Sequence, residues 1–431
     1  MGVKTRKLSQ INDSLIEWQS VVVADGSTGL TAVAGRGYFI NTTSGTITIT
    51  FPASPKIGDT IIINDYASTF ATNNVTINFN GNKLEADTSN ATLSTNDQTH
   101  TFVFTDATQG WKIVNQDTGS PIQASFISAT GGTVLTSGDF KSHVFTGDGT
   151  FTVSLAGNSQ GSNSVEYLAV AGGGGGGKGN TSDAGGGGGA GGYRQNYPSP
   201  TTAGLPVTAT AYPISVGSGG AGSSTALTRG TSGNSSIFST ITSTGGGGGG
   251  TLQGGGCIPS YNNGGSGGSG GGGAGGGCGG QGAGGAGNTP PTSPSQGNNG
   301  GDRSNLPAGA TNYNGGAGGG AGAVGDNGTP TTVANGGIGS PIDTTVFGPT
   351  SPSYGTPGPA PGRYFSGGGG AHGTPARGYP TNGTGGAGGG GAGGIPAGVA
   401  GTVNTGGGGG SGAPDGAAGG SGIVVIRYKF Q

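Results

Sequence analysis

Three histidines, two cysteines and 18 carboxylates are the groups through which this chain of 431 residues could do acid–base, nucleophilic or metal chemistry. Their spacing supports none of it. His100, His143 and His372 lie far apart, each without an acidic or cysteine partner nearby. No two carboxylates are set as a pair that would cleave a glycosidic bond. Cys257 and Cys278, with no histidine close by, make a poor zinc site. Synthesis in a cytoplasm favours two free thiols there, with a disulfide as the alternative. Asp25, Asp59, Asp65, Asp106 and Asp148 each sit beside glycine, asparagine or alanine and read as turn residues. Matches to Gly-x-Gly-x-x-Gly follow from composition alone, and no helix follows them to build a phosphate loop. The expectation is a protein that is not an enzyme and holds no metal or cofactor.

What remains is recognition by large side chains on glycine supports. In the last third of the chain Tyr354, Arg363, Tyr364, Phe365, His372, Arg377 and Tyr379 share loops. A glycine lattice has almost no room for large side chains, so these are expected to project at its ends. Aromatic and arginine side chains on rigid supports lose little entropy on binding and make good contact residues. The islands near Tyr193–Tyr197 and Tyr261 come next as candidates.

The element that must position them is unusual. The chain has 110 glycines, and runs such as Gly172–Gly177, Gly185–Gly189, Gly245–Gly250 and Gly406–Gly410 fill the stretch from 172 to 422. Glycine loses more backbone entropy on folding than any other residue, so such a stretch is either disordered or held by an unusual lattice. Apolar strands at Val165–Ala171 and Ile423–Tyr428 frame it and favour the lattice. Collagen is excluded, because glycine does not keep every third position over long distances. A bundle of polyproline II helices fits, with glycine faces close enough for N–H···O=C and Cα–H···O contacts and islands of other residues as turns.

The first part of the chain reads differently. Leu8, Ile11, Leu15 and Trp18 fall at 3, 4 and 3 spacing, which predicts a short helix over 1–19 that needs support, either from its own β-domain or from a symmetric bundle or docking partner. Residues 20–118 read as a β-sandwich or barrel. Thr46–Phe51 alternates with Ile47, Ile49 and Phe51 on one face, and Val75–Phe79 and Thr99–Phe104 repeat the pattern with His100 on the threonine face. Residues 119–139 read as a polar connector, and 140–431 as the glycine-rich polyproline II domain with flanking β-strands. Thr146–Gly149 is a hairpin signal between Phe140–Phe145 and Thr150–Val153. Net charge is −2 and only 8% of residues are charged, so nothing points to nucleic acid or to electrostatic membrane docking. The basic N-terminus is not followed by the apolar run of a secretion signal.

Phe145-Thr146-Gly147-Asp148-Gly149-Thr150-Phe151, then Val165–Ala171 and a glycine run, Tyr212–Gly217, Gly233–Phe238 and the terminal Gly420–Tyr428 together resemble the glycine-rich domains of tailed-bacteriophage fibres. Phe51–Pro55, Gly58–Ile61, Thr69–Ile77 and Gly110–Lys112 resemble a β-module of fibres and other virion proteins of marine phages. The resemblance implies a virion fibre protein, made in the host cytoplasm and exposed on the particle. Its N-terminal part, through Leu8, Ile11, Leu15 and Trp18, would join a homotrimer and other tail, adaptor or capsid proteins. Its glycine-rich loops would bind a host polysaccharide or outer-membrane protein. A capsid or tail decoration that serves only as a spacer is the alternative.

Overall fold

The computed structural model describes residues 16–114, 124–158, 161–197, 204–225, 227–252, 259–276, 282–304, 314–343, 354–374 and 382–431. The chain forms two compact units, Met1–Phe126 with Gly157–Ser162, and Ile127–Ala156 with Asn163–Gln431. Both are mainly β.

In the first unit the strands are β1 (Glu17–Trp18), β2 (Val22–Val23), β3 (Leu30–Thr31), β4 (Arg36–Asn41), β5 (Ile47–Thr50), β6 (Thr60–Asp65), β7 (Val75–Asn78), β8 (Ala91–Leu93), β9 (Thr99–Asp106) and β10 (Gly110–Ile113). One sheet runs β1-β4-β6-β9-β10 with β2 also on β4, and the other runs β3-β5-β7-β8. From β3 to β7 the chain alternates between sheets, so neighbours within a sheet are parallel: Arg36 lies opposite Ile61 and Ile47 opposite Val75. The two sheets share one core, in which the Phe51 ring meets Phe79, Phe102 and Trp111 edge-on at 5.3, 5.2 and 4.9 Å. Such edge contacts add about 0.5–1.5 kcal/mol each beyond burial. Ile47, Ile49 and Phe51 face inward as their alternation predicts.

Of the two architectures expected for this unit, sandwich or barrel, the barrel does not form, since neither sheet closes. Two other expectations are corrected. Trp18 is not in a helix but in β1, half-exposed and stacked on Phe39 at 4.4 Å across the space left by Gly37; Leu8, Ile11 and Leu15 lie outside the described residues. The β-branched run after Trp18 wins over the helical spacing before it. His100 shares the buried face with Phe102 and Phe104, while Thr99 and Thr101 point the other way, as a period of two requires.

The second unit begins with β11 (Ser128–Thr130) and β12 (Thr133–Ser137), inside the stretch read as connector. There follow β13 (Phe140–Phe145), β14 (Gly149–Leu155), β15 (Ser164–Val170), β16 (Tyr193–Gln195), β17 (Leu205–Pro206), β18 (Ala211–Ser215), β19 (Ser236–Phe238), β20 (Ile241–Ser243), a one-turn helix α1 (Pro259–Asn262), β21 (Ser340–Ile342), β22 (Arg363–Phe365) and β23 (Ile423–Lys429). An outer sheet is ordered β11-β14-β18-β19-β20, and a central sheet β12-β13-β23-β15-β16 with β17 also on β15. The strand before the glycine stretch pairs with the strand after it, Glu166 opposite Arg427 and Val170 opposite Ile423. The expected hairpin at 146–149 does not form. β13 and β14 go to different sheets, and Phe145 and Phe151 at this corner enter the core between them. Asp148 fixes the corner by accepting the Val216 N–H at 2.8 Å.

Between these strands the glycine segments follow a repeat of three. The N–H groups of Gly172 and Gly175 go to Asn234 and Thr231, those of Gly173 and Gly176 to Gly420 and Ala417, and those of Gly174 and Gly177 to Gly189 and Gly186. Their carbonyls accept from Gly246 and Gly249, from Gly220 and Ser223, and from Gly409 and Gly412 by the same rule. Three neighbouring segments thus receive and three give. Every N–H and C=O of Gly172–Gly177 thus finds a partner, as burial demands. Gly172–Gly177 have no positive φ, so the need for glycine lies in close approach. A Cβ on Gly175 would stand 2.0 Å from the Ala221 carbonyl oxygen, and one on Gly176 2.1 Å from that of Gly410.

Candidate binding site

The side chains singled out in the last third do not form an exposed cluster. Tyr364 and Phe365 are buried, Phe365 completely. They sit on β22, paired with β21, and Phe365 joins Val144, Leu168, Val170, Ile342 and Val425 against the second face of the central sheet. The glycine lattice has no room for an aromatic ring, but the sheet beside it does. The Tyr364 hydroxyl accepts the Ala360 N–H at 3.2 Å. Tyr354 is half-buried against the same core. Arg363 donates from Nε to the Tyr354 carbonyl at 2.8 Å and from its other arm to the Gly355 carbonyl. These groups fold the island from 354 to 365 onto the sheet.

His372 is equally internal. Its Nε2–H donates to the Asn180 carbonyl at 3.3 Å, which leaves Nδ1 to accept from the Ser411 hydroxyl at 3.1 Å. Burial pulls its pKa down to about 4 against the pull of that carbonyl. Arg377 and Tyr379 lie outside the described residues, as do Cys257 and Cys278.

The other polar groups also serve the frame. His143 donates from Nδ1 to the Gly131 carbonyl at 2.6 Å and accepts at Nε2 from the Tyr428 hydroxyl at 3.0 Å, and burial lowers its pKa. Arg427 pairs with Glu166 across β15 and β23 and lies 3.7 Å over the Phe140 ring. Asp25, Asp59, Asp65 and Asp106 accept backbone N–H groups of their own turns. Among the described residues no cluster of histidine, cysteine or carboxylate could hold a metal ion, and no helix is long and apolar enough to cross a membrane.

Of the hollows among the described residues of the glycine-rich unit, one of about 290 Å³ between Asn180, Ile395 and Pro414 carries neither tyrosine nor arginine, and two others do. One of these two, of about 250 Å³, is lined by Tyr167, Tyr193, Arg194, Gln195, Tyr197, Pro294, Ser295 and Ser340 along β16, an edge strand of the central sheet. Burial raises the pKa of both Tyr167 and Tyr193, so their phenols stay protonated. The Tyr193 hydroxyl lies 3.0 Å from Gln195 Oε1 and Arg194 reaches the Thr242 carbonyl at 3.4 Å. The other, a groove of about 550 Å³, runs between residues 227–232 and 260–266 with Arg229 and Tyr261 in its walls. Both carry tyrosine and arginine on short islands between glycine runs. The islands near Tyr193–Tyr197, which contains Arg194, and Tyr261 were legible in the sequence, but Arg229 was not singled out, because no aromatic residue stands near it in the chain.

No curated protein matches the chain in sequence. A family model described as a glycine-rich domain matches residues 145–429, which begin at the corner residue Phe145 and end with β23. That span takes in the glycine lattice, both hollows and the strand pair that frames them. With more than half of its length in the match, the chain belongs to this glycine-rich domain family.

Proposed function

We propose that the glycine-rich unit is a bundle of polyproline II helices and that the protein is a fibre of a tailed-phage virion, presenting host-recognising loops on that bundle. The observation that carries the reading is the three-residue hydrogen-bond repeat with six surrounding segments. Polyproline II has three residues per turn and no internal hydrogen bonds, so its N–H and C=O groups are free to bond outward in three directions. A scaffold built this way excludes side chains from its interior and carries tyrosine and arginine at the edges, where the two hollows open. Amide hydrogen exchange tests the scaffold: glycine amides in 172–177 and 245–250 should be protected, and uniformly fast exchange would refute it.

The N-terminal part would join three copies and mount them on a tail, adaptor or capsid protein of the particle. Sedimentation of the intact chain at micromolar concentration should give a trimer; a monomer would sink self-assembly. The glycine-rich loops would contact a polysaccharide or outer-membrane protein of the host. Labelled chain should adsorb to cells plated by the phage that encodes it, and excess chain should slow infection several-fold. Folded chain that does neither leaves the protein as a spacer or decoration of the virion.

A further inference from the structure

Among the described arginines, Arg36, Arg194, Arg303, Arg363 and Arg427 each make a hydrogen bond or ion pair. Arg229 makes neither among the described residues, and it lines the 550 Å³ groove. No acidic side chain is among the residues that line the groove. A half-buried guanidinium with no counter-charge in a concave site favours an anion, and its planar fork suits a carboxylate.

The rest of the lining says what carries that carboxylate. Ser232 and Ser260 bring hydroxyls that can both donate and accept, and Ser266, which accepts the Ala286 N–H at 3.3 Å, can still donate, while Thr228 and Thr231 are held by Thr225 and by the Ala221 carbonyl. Tyr261 and the exposed Leu227 bring apolar surface. Hydroxyls around an apolar floor match a sugar ring, with its hydroxyl rim and C–H face. The volume lies in the range of sites for small organic ligands, enough for one or two sugar units.

The walls are also fixed in relation to each other. Gly230, next to Arg229, donates to the Gly249 carbonyl at 3.0 Å, and Gly265 on the opposite wall donates to the Gly248 carbonyl at 2.8 Å. One glycine segment therefore sets the width of the groove. A preformed site loses little entropy on binding.

We infer that the groove between residues 227–232 and 260–266 binds a carboxylated sugar of an acidic polysaccharide, with Arg229 on the carboxylate and Tyr261 against the ring. The inference deepens the fibre reading by naming the chemistry of its receptor, but its test needs no cells. Calorimetric titration of the full chain with a tetramer of galacturonic acid should give a saturable isotherm. The matching neutral galactose tetramer should bind at least about tenfold more weakly, as should the acidic one to Arg229→Gln. Thermal melting of Arg229→Gln should be nearly unchanged, since that side chain makes no hydrogen bond or ion pair among the described residues. Tyr261→Ala, a second variant, should weaken both tetramers alike. Absence of binding, equal affinity for the two tetramers, or full affinity in Arg229→Gln would overturn the inference. Chain that adsorbs to cells but ignores the acidic tetramer refutes the groove alone. Chain that binds the tetramer but no cell refutes the fibre reading alone.

Discussion

At the scale of single residues, large side chains in this protein build the frame. Phe365 fills the core on the second face of the central sheet, and removing a buried phenylalanine costs roughly 3–5 kcal/mol. Tyr364→Ala with Phe365→Ala should therefore lower the denaturation midpoint sharply, and an unchanged midpoint would mean the β22 island is not packed as described. His372 gives the fold a dependence on acid. Its folded pKa of about 4 lies below the ordinary value near 6.5, so the unfolded chain takes up that proton first as pH falls. Stability is then full above about pH 6.5 and is lost on the way down to about pH 4, by on the order of 3 kcal/mol at full extent. Melting temperatures measured at pH 7 and 4.5 should differ less in His372→Asn than in the native chain, even if that variant melts lower at both. Equal differences would remove His372 from the acid response, leaving His100 and His143, whose pKa values burial lowers as well.

At the scale of elements, the glycine segments and the strands obey different steric rules. A Cβ on Gly175 would meet the Ala221 carbonyl oxygen at 2.0 Å, and there is no flexible side chain to move aside. Gly175→Ala should cost roughly 1–3 kcal/mol or more by overpacking. Gly147→Ala, at a turn with nothing within 4 Å of the new methyl, should stay within about 0.5 kcal/mol of the native chain. Equal losses at the two sites, read by chemical denaturation, would contradict the lattice. The sequence made the strands legible where alternation was strong, as in Ile47–Phe51, and where apolar runs framed glycine, as in β15 and β23. It misplaced Trp18, because the apolar spacing of a helix ended inside a segment that pairs with β4. It also misread Thr146–Gly149, because a turn signal is local and cannot say that the next strand will leave for another sheet. The island from 354 to 365 was misread for a similar reason: nothing in its composition tells that a sheet face waits beside the lattice to receive Phe365.

At the scale of the whole glycine-rich unit, one strand holds the ends of the chain segment together. β23 lies between β13 and β15 and contributes Ile423 and Val425 to one core and Val424, Ile426 and Tyr428 to the other. It is the last element of the family match, so the lattice is complete only when the chain has returned to where it left the sheet. A chain ending at Gly422 should lose exchange protection at Gly172–Gly177. Retained protection would show that the glycine segments hold one another without the sheets.

The three-residue repeat has a consequence for how such a chain can change in length. Adding one glycine between Gly174 and Gly175 would turn the rest of the run by a third of a revolution and send each N–H toward the wrong neighbour. Adding three restores every direction and, on the proposed polyproline II geometry, lengthens the segment by one turn, about 9 Å at a rise of 3.1 Å per residue. Insertions within the runs are therefore tolerated in threes, whereas the loops between runs obey no such counting. Thermal melting of the two insertion variants would show it, the single insertion melting well below the triple. Length variation confined in this way would let the loops between runs be rewritten while the scaffold's register stays fixed.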